Sequence, residues 1–275
     1  MPKIHPTAIV DPRATLAEDV SVGPYTIIEG AVEIGPRTVV HAHCVLKGPT
    51  RIGSDNQIGP AAYVGGDPQH LLHDHALETW LVIGDHNIIR EAASLHRATK
   101  PGIENATRVG NNCLFMSCSH VAHDAVVGNR AIFANGALTA GHVQIGDGVF
   151  LSGGVGIHQF VRIGRLAIVG GNEITTADIP PFAAARYGAL KGYNAIGCKR
   201  AGIPKPSLFA IRKVYHCFHN NRMMPAVIQA IKDTCPPVPE VQEFLDFVAT
   251  SKRGIHRSVR FLHVGTGEKD AGDAD

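Results

Sequence analysis

Aliphatic residues recur at every sixth position from Ile4 to Val64 without a break: Ile4, Val10, Leu16, Val22, Ile28, Ile34, Val40, Leu46, Ile52, Ile58 and Val64. A helix repeats at about 3.6 residues and a strand at about 2, so neither has that period. The pattern predicts a stack of short strand units, each supplying one inward apolar residue per side. The register returns at Ile83, Ile89 and Leu95. It then runs from Val109 through Phe115, Val121, Val127, Phe133, Thr139, Ile145, Leu151, Ile157 and Ile163 to Val169. Four residues past most anchors stands something small or β-branched, such as Ala8, Thr26, Cys44, Ala131 or Val155, which suits a narrow interior. Gly followed by Pro or Asp after an anchor (Gly23-Pro24, Gly35-Pro36, Gly59-Pro60, Gly146-Asp147) is the chemistry of a tight corner.

The register breaks twice, and a stacked coil can extrude a loop only at a corner without disturbing its neighbours. The first insertion spans Gly66 to Leu81; the second lies near Lys100 to Gly102, with Ile103 expected to restart the period. Such loops commonly carry function. Past Thr175 the pattern fades, and Ile179-Pro180-Pro181-Phe182 is expected to close the stack. Helical spacing follows. Ser207 is expected to cap a segment through Leu208, Ile211, Val214, Tyr215 and Phe218, while Pro225 and Pro239 open two further helices. The expected domains are therefore a strand stack over 1–189 and a C-terminal segment over 190–275. The latter has helices to about 262 and a polar, acidic tail, Gly265 to Asp275, expected to be disordered.

With 275 residues, 18% of them charged, the chain can bury a large core. Its net charge of +2 gives no bulk electrostatic case for a nucleic-acid partner. Neither an apolar leader nor a run of membrane-spanning length is evident, so a cytoplasmic protein without membrane insertion is expected. Six cysteines (Cys44, Cys113, Cys118, Cys198, Cys217, Cys235) form no Cys-x-x-Cys pair and are read as buried free thiols.

Hexads of this kind resemble the left-handed parallel β-helix of hexapeptide acyltransferases, in which three hexads make one triangular coil. The resemblance implies an all-β left-handed parallel β-helix with a small C-terminal α-helical domain, assembled as a homotrimer. In such coils positions 18 apart stack, and His123, Gly141-His142 and His158-Gln159 then converge on one strip. A surface ladder of histidines would give the same spacing. Metal binding is a further reading, since trimeric γ-type carbonic anhydrases share the fold; they pair two histidines five apart, whereas His120 and His123 are three apart.

The local strings narrow this. His120-Val121-Ala122-His123-Asp124, Ala140-Gly141-His142-Val143 and His158-Gln159-Phe160 resemble the active-site run of the UDP-N-acetylglucosamine acyltransferase family, the first enzymes of lipid A biosynthesis. Ile83-Gly84-Asp85-His86-Asn87, Leu95-His96-Arg97, Pro239-Glu240-Val241 and Arg253-Gly254-Ile255 extend the likeness over nearly the whole chain. Moving an acyl group from a thioester to a sugar hydroxyl needs a base and a donor for the developing oxyanion. The resemblance implies His123 as base, Asp124 as its orienting partner and the Gly141 N–H as oxyanion donor. It also implies His120, His142, His158 and Gln159 as cleft residues, Asn194, Lys199 and Arg200 as nucleotide contacts, and Gly171 as the residue setting acyl length. No metal or cofactor is implied beyond acyl carrier protein as donor. Lys199, Arg200, Lys205, Arg212, Lys213 and Arg222 are the expected docking charges for that acidic carrier.

Where the family has an Asp and, two residues on, a Lys, this chain has His70 and Leu72; Ile196 and Ala201 stand where it has Glu and Arg. These departures leave the acceptor open. The readings are transfer to the 3-hydroxyl of UDP-N-acetylglucosamine, transfer to another acceptor such as a 3-amino UDP-sugar, and a non-catalytic trimer that binds the carrier or the nucleotide. His70, His73 and His75 form a histidine-rich loop that is read as plain surface.

Overall fold

The computed structural model describes residues 1–221 and 223–256. Arg222, the end of the expected helical segment and the acidic tail lie outside the described residues. Among those described, strands of two to five residues stack into a three-sided parallel β-solenoid, with faces of 11, 9 and 8 strands. Face 1 carries Ile4, Val22, Val40 and Ile58 in direct register. Face 2 carries Val121, Thr139 and Ile157, and face 3 carries Val127, Ile145 and Ile163.

The anchors from Val22 onward are buried, at roughly 1.5–3 kcal/mol for each large aliphatic side chain withdrawn from water. Ile4 is not: it is 41% exposed because no coil stacks on its outer side. Between anchors, small polar residues answer the corner carbonyls that turn inward. Thr26 Oγ1 donates to His41 O at 2.6 Å, Thr38 Oγ1 to Gly53 O at 2.9 Å and Cys44 Sγ to Gly59 O at 2.9 Å. Burial pushes the Cys113 and Cys198 thiols up to about 11, so both stay protonated. Cys118 departs from the expectation of buried thiols, being exposed at a corner.

The corner between faces 3 and 1 is laced by a side-chain ladder. Asp147 Oδ1 accepts the N–H of Asn129 at 2.8 Å, Asn129 Oδ1 that of Asn111 at 2.9 Å, Asn111 Oδ1 that of Asp85 at 2.7 Å, and Asp85 Oδ1 that of Ser54 at 2.6 Å. Left-handed backbone recurs at nearly every corner, as at Arg37, Asp124, His142 and Phe160 (φ 59°, 58°, 61° and 63°). Each such residue costs about 1–2 kcal/mol against a right-handed one. The strain belongs to the solenoid and not to any one site.

Both insertions are present at corners, and they shift the coil spacing from 18 residues to 31 and then 26. The second is longer than expected. Ile103 does not restart the period but opens a 3-10 turn, Ile103–Asn105, and regular pairing resumes at Thr107–Val109. The expected division at 189/190 falls inside a strand, Ala189–Tyr193, which hairpins with Ala183–Arg186 and ends face 1.

Four helices follow: α1 (Ala195–Arg200), α2 (Lys205–Asn220), α3 (Met224–Thr234) and α4 (Pro239–Ala249). Ser207 lies buried within the first turn of α2, whose cap position is Pro204, so it is not the cap. Tyr215 donates to Pro181 O at 2.6 Å and docks α2 on the last coil. Arg165 pairs with Glu243 at 2.7 Å and fixes α4 against face 3. The segment after α4 then runs beside the corner at Asp178, with His256 N–H donating to Asp178 O at 2.8 Å. No described helix is long and apolar enough to cross a membrane.

Candidate active site

The expected strip forms the corner between faces 2 and 3. His123, Gly141 and Gln159 occupy equivalent positions on successive coils, as the bonds His142 N–H to His123 O (3.0 Å) and Phe160 N–H to Gly141 O (3.1 Å) define. His123 Nδ1 donates to Asp124 Oδ2 at 2.7 Å. A carboxylate only accepts, so the neutral imidazole carries its proton on Nδ1 and keeps the Nε2 lone pair free. Asp124 is held in turn by Thr99, whose N–H donates to Oδ1 at 3.0 Å and whose hydroxyl donates to Oδ2 at 2.8 Å. Burial alone would raise the Asp124 carboxyl, but the bonds from His123 and Thr99 outweigh it and hold the group below its ordinary range.

Gly141 leaves room for the His123 ring. A Cβ at this position would lie 2.7 Å from Nε2 of His123 and 2.9 Å from Nδ1, so any larger residue displaces the ring. Its N–H opens a turn and donates to no acceptor in the protein among the described residues. It is therefore available to an oxyanion one rung from the base.

Two further histidines of the strip, His120 and His142, are held below their ordinary range. Burial, reinforced by His96 and His123, lowers His120 to about 4, and its Nδ1 lies 2.8 Å from the Ser94 hydroxyl. Burial also lowers His142, whose Nε2 is 3.5 Å from Asp124 Oδ2 and whose ring stacks on Phe160 at 4.5 Å. His158 is exposed, and Arg253 donates to its Nδ1 at 3.2 Å. Thr99, Ser94, Phe160 and Arg253 carried no sequence signal of these roles.

Around this corner lies a cleft of about 490 Å3 lined by Gln69, His120, His123, Gly141, His158 and Gln159. It continues along face 2 over Leu138, Gly156 and Ile174. Leu138 and Ile174 are 47% and 75% exposed, with the flat Gly156 between them, which makes an open apolar trough. The first insertion folds over its head. The His70 ring stands edge-on to His123 at 5.7 Å, so this loop belongs to the site and is not plain surface, whereas Leu72 is 87% exposed.

Five expected binding residues do not line this cleft: His142 faces the pocket on the other side of the Phe160 ring, and the other four lie farther off. Gly171 sits at the corner between faces 1 and 2, beyond the trough, where an added Cβ would meet only Gly153 O at 3.4 Å. Asn194 caps α1: it accepts from Gly197 N–H at 2.9 Å and donates to Leu166 O at 2.8 Å, so both ends of its amide are used within the fold. Lys199 and Arg200 lie in the last turn of α1, which Asn194 ties to Leu166 at the corner between faces 3 and 1.

His123, Asp124 and His142 also present ligand atoms within 4.8 Å of one another. Bonds of about 2.0 Å to one tetrahedral zinc ion would keep two ligands roughly 3.3 Å apart. The 2.7 Å between His123 and Asp124 is a hydrogen bond and is shorter than that separation. A larger groove of about 940 Å3 lies between face 3 and α4 and includes the paired Arg165 and Glu243.

Comparison with known proteins agrees with this architecture. A model described as bacterial transferase hexapeptide (six repeats) matches residues 13–48. A second model, described as UDP N-acetylglucosamine O-acyltransferase, domain 2, matches residues 178–256. The curated relative from Sinorhizobium fredii is 38% identical over 90% of this chain and 92% of its own length; that from Stenotrophomonas maltophilia strain K279a is 41% identical over 93% and 98%. The solved UDP-N-acetylglucosamine acyltransferase of Francisella novicida superposes with a TM-score of 0.87 at 32% identity, covering 97% of this chain and all of that one. That of Moraxella catarrhalis gives 0.85 at 36%, covering 92% and 99%. The chain belongs to the family of acyl-(acyl-carrier-protein)–UDP-N-acetylglucosamine O-acyltransferases.

Proposed function

We propose that this protein transfers a fatty acyl group, with a 3-hydroxyacyl chain as the expected donor, from acyl carrier protein to the 3-hydroxyl of UDP-N-acetylglucosamine, the first step of lipid A biosynthesis. The observation that carries this reading is the His123–Asp124 pair with the free Gly141 N–H one coil above it. His123 Nε2 takes the proton of the sugar hydroxyl as its oxygen attacks the thioester carbonyl. Asp124 stabilises the imidazolium that forms. The carbonyl oxygen, now negative, accepts the Gly141 N–H. Collapse of the tetrahedral adduct breaks the C–S bond, and the thiolate leaves with the proton from His123. Each group is a side chain or a backbone N–H, so the reading needs no metal and no cofactor besides the carrier.

The acyl chain lies along the trough over Leu138, Gly156 and Ile174 and ends near Gly171. His120, His142, His158 and Gln159 then hold the sugar and the thioester. Lys199 and Arg200 lie at another corner of the same solenoid, so the nucleotide reaches them only if a neighbouring protomer supplies them; a homotrimer provides that. The solvent-exposed Leu71 and Leu72 at the loop tip support such packing, since an apolar pair of this kind needs a covering surface. The carrier docks on Lys199, Arg200, Lys205 and Arg212, which are exposed, while Lys213 is engaged by Thr234 O at 2.7 Å. Both substrates place the reaction in the cytoplasm.

Assay of the purified protein with 3-hydroxyacyl carrier protein and UDP-N-acetylglucosamine tests the reading. His123→Ala should retain its fold and lose about 100-fold or more in kcat; unchanged turnover would refute the assigned base. His70 beside the base, where the family has Asp, favours one second reading: the same transfer to a different acceptor, such as a 3-amino UDP-sugar. The ratio of kcat/KM for the two acceptors decides between them.

A further inference from the structure

The cleft does not end at the corner. The stacked rings of His142 and Phe160 form a crest, and beyond it lies a second pocket of about 480 Å3, lined by Arg162, Asp178, Thr250, Lys252 and Arg253 together with those two rings. Its charges do not balance. Asp178 is fully buried and fully used, accepting Arg162 Nε at 3.0 Å and the Ser251 hydroxyl at 2.8 Å on Oδ2 and the Arg162 N–H at 2.8 Å on Oδ1. The other guanidinium nitrogens of Arg162 go to Thr250 Oγ1 at 3.0 Å and Phe247 O at 2.8 Å. Arg162 and Asp178 therefore neutralise each other and leave nothing over.

Lys252 and Arg253 are both exposed, and neither has a carboxylate partner among the described residues. Arg253 is aimed instead by two groups other than carboxylates at 3.2 Å, Thr176 O through Nε and His158 Nδ1 through one terminal nitrogen. His158 Nδ1 also stands 3.3 Å from Gln159 O, so its ring is held between that carbonyl and Arg253. That contact fixes an unneutralised cation at the wall of the acyl-transfer cleft, leaving its other terminal nitrogen free.

We propose that this pocket binds a phosphate group of one of the two substrates, with Arg253 and Lys252 as its cations. The proposal rests on the acyl-transfer reading. Each substrate of that reaction carries phosphate at a distance from its reacting atom: the phosphodiester of the carrier's pantetheine arm, or the diphosphate of the nucleotide sugar. A forked guanidinium beside an ammonium suits either, and the buried, neutralised Asp178 does not oppose the anion.

Equilibrium binding to the intact protein separates the sources. The probes are acyl-phosphopantetheine, acyl-pantetheine lacking the phosphate, and UDP-N-acetylglucosamine. Lys252→Ala and Arg253→Ala should each weaken one phosphate-bearing probe about tenfold and leave acyl-pantetheine unchanged, while Arg253→Lys should restore most of the loss. Weakening confined to acyl-phosphopantetheine assigns the pocket to the donor; weakening confined to UDP-N-acetylglucosamine assigns it to the acceptor. Equal weakening of acyl-pantetheine and acyl-phosphopantetheine, or no change for any probe, overturns the proposal. Lys252 makes no hydrogen bond that the fold needs, so Lys252→Ala reads charge apart from any disturbance of His158. Failure to acylate UDP-N-acetylglucosamine would overturn the acyl-transfer reading and leave the binding result standing.

Discussion

Thr99 grips Asp124 with two atoms, its N–H on one carboxylate oxygen at 3.0 Å and its hydroxyl on the other at 2.8 Å. Thr99 lies in the second insertion, so a loop outside the repeat fixes the orientation of the carboxylate bonded to His123, the proposed base. Thr99→Val keeps the shape and the backbone bond but removes the hydroxyl. The expected result is a fall of about tenfold in kcat, the scale of one lost hydrogen bond to a charged group, with little change in either KM. A change in KM alone would mean that Thr99 acts on binding and not on Asp124.

Gly141→Ala should be worse than its single methyl suggests. The added carbon would lie within 3 Å of the His123 ring, which is nearly enclosed and tied to Asp124. The ring must turn away, and the expected loss is about 100-fold in kcat with far-ultraviolet circular dichroism unchanged. Near-normal turnover would show that the base does not occupy this position during reaction.

Stability should fall on mild acidification. His120 has a folded pKa of about 4 against an ordinary 6.5, and His96, His142 and His256 are lowered by burial as well. Between those values the unfolded chain binds more protons than the folded one, so stability rises with pH across that window and is lost as pH falls through it. Urea midpoints measured at pH 7, 6, 5 and 4 should decline steadily, and His120→Gln should flatten the decline. A flat profile in the parent protein would contradict the burial of these rings.

His70→Asp places a carboxylate beside His123, where the ring now stands edge-on at 5.7 Å. If UDP-N-acetylglucosamine is the acceptor, its KM should fall by about tenfold, the scale of one charge-assisted contact. Leu72→Lys should have the smaller effect, because Leu72 is 87% exposed and lines no part of the cleft. If a different acceptor is the preferred one, the same substitution should raise its KM.

Docking of the carrier should weaken as salt rises. The exposed cations Lys199, Arg200, Lys205 and Arg212 act on an acidic partner through water, where about 0.15 M salt limits the reach of charge to about 8 Å. The KM for acyl carrier protein should therefore climb between low and high ionic strength, and a constant value would remove this surface from the docking site.

The solenoid was legible because each short strand offers a single inward position, and that position tolerates only apolar side chains; Val22, Val40 and Ile58 declare their face without reference to the rest of the chain. The His123, Gly141 and Gln159 strip followed from the same spacing. What lay across an insertion did not. Ser94 and His120 are 26 residues apart, a distance no repeat announces, and Thr99 sits in a loop whose path only the folded chain defines. Asn194 misleads for a different reason. The family resemblance implied a nucleotide contact, and the structure shows its amide engaged by Gly197 N–H of the six-residue α1 and by Leu166 O. Gly171 likewise gives no sign in sequence that its corner tolerates a side chain.

The base, the oxyanion donor and Gln159 stand on consecutive rungs, so the interval between them is the inter-strand distance of a β-sheet, about 4.8 Å, maintained by main-chain hydrogen bonds. No side chain in the interior sets that interval. Weakening the core should therefore shorten the life of the molecule without detuning its chemistry: a destabilised variant held at moderate heat would lose activity as a shrinking population of fully competent enzymes. Thermal inactivation and loss of the stack should then follow a single time course.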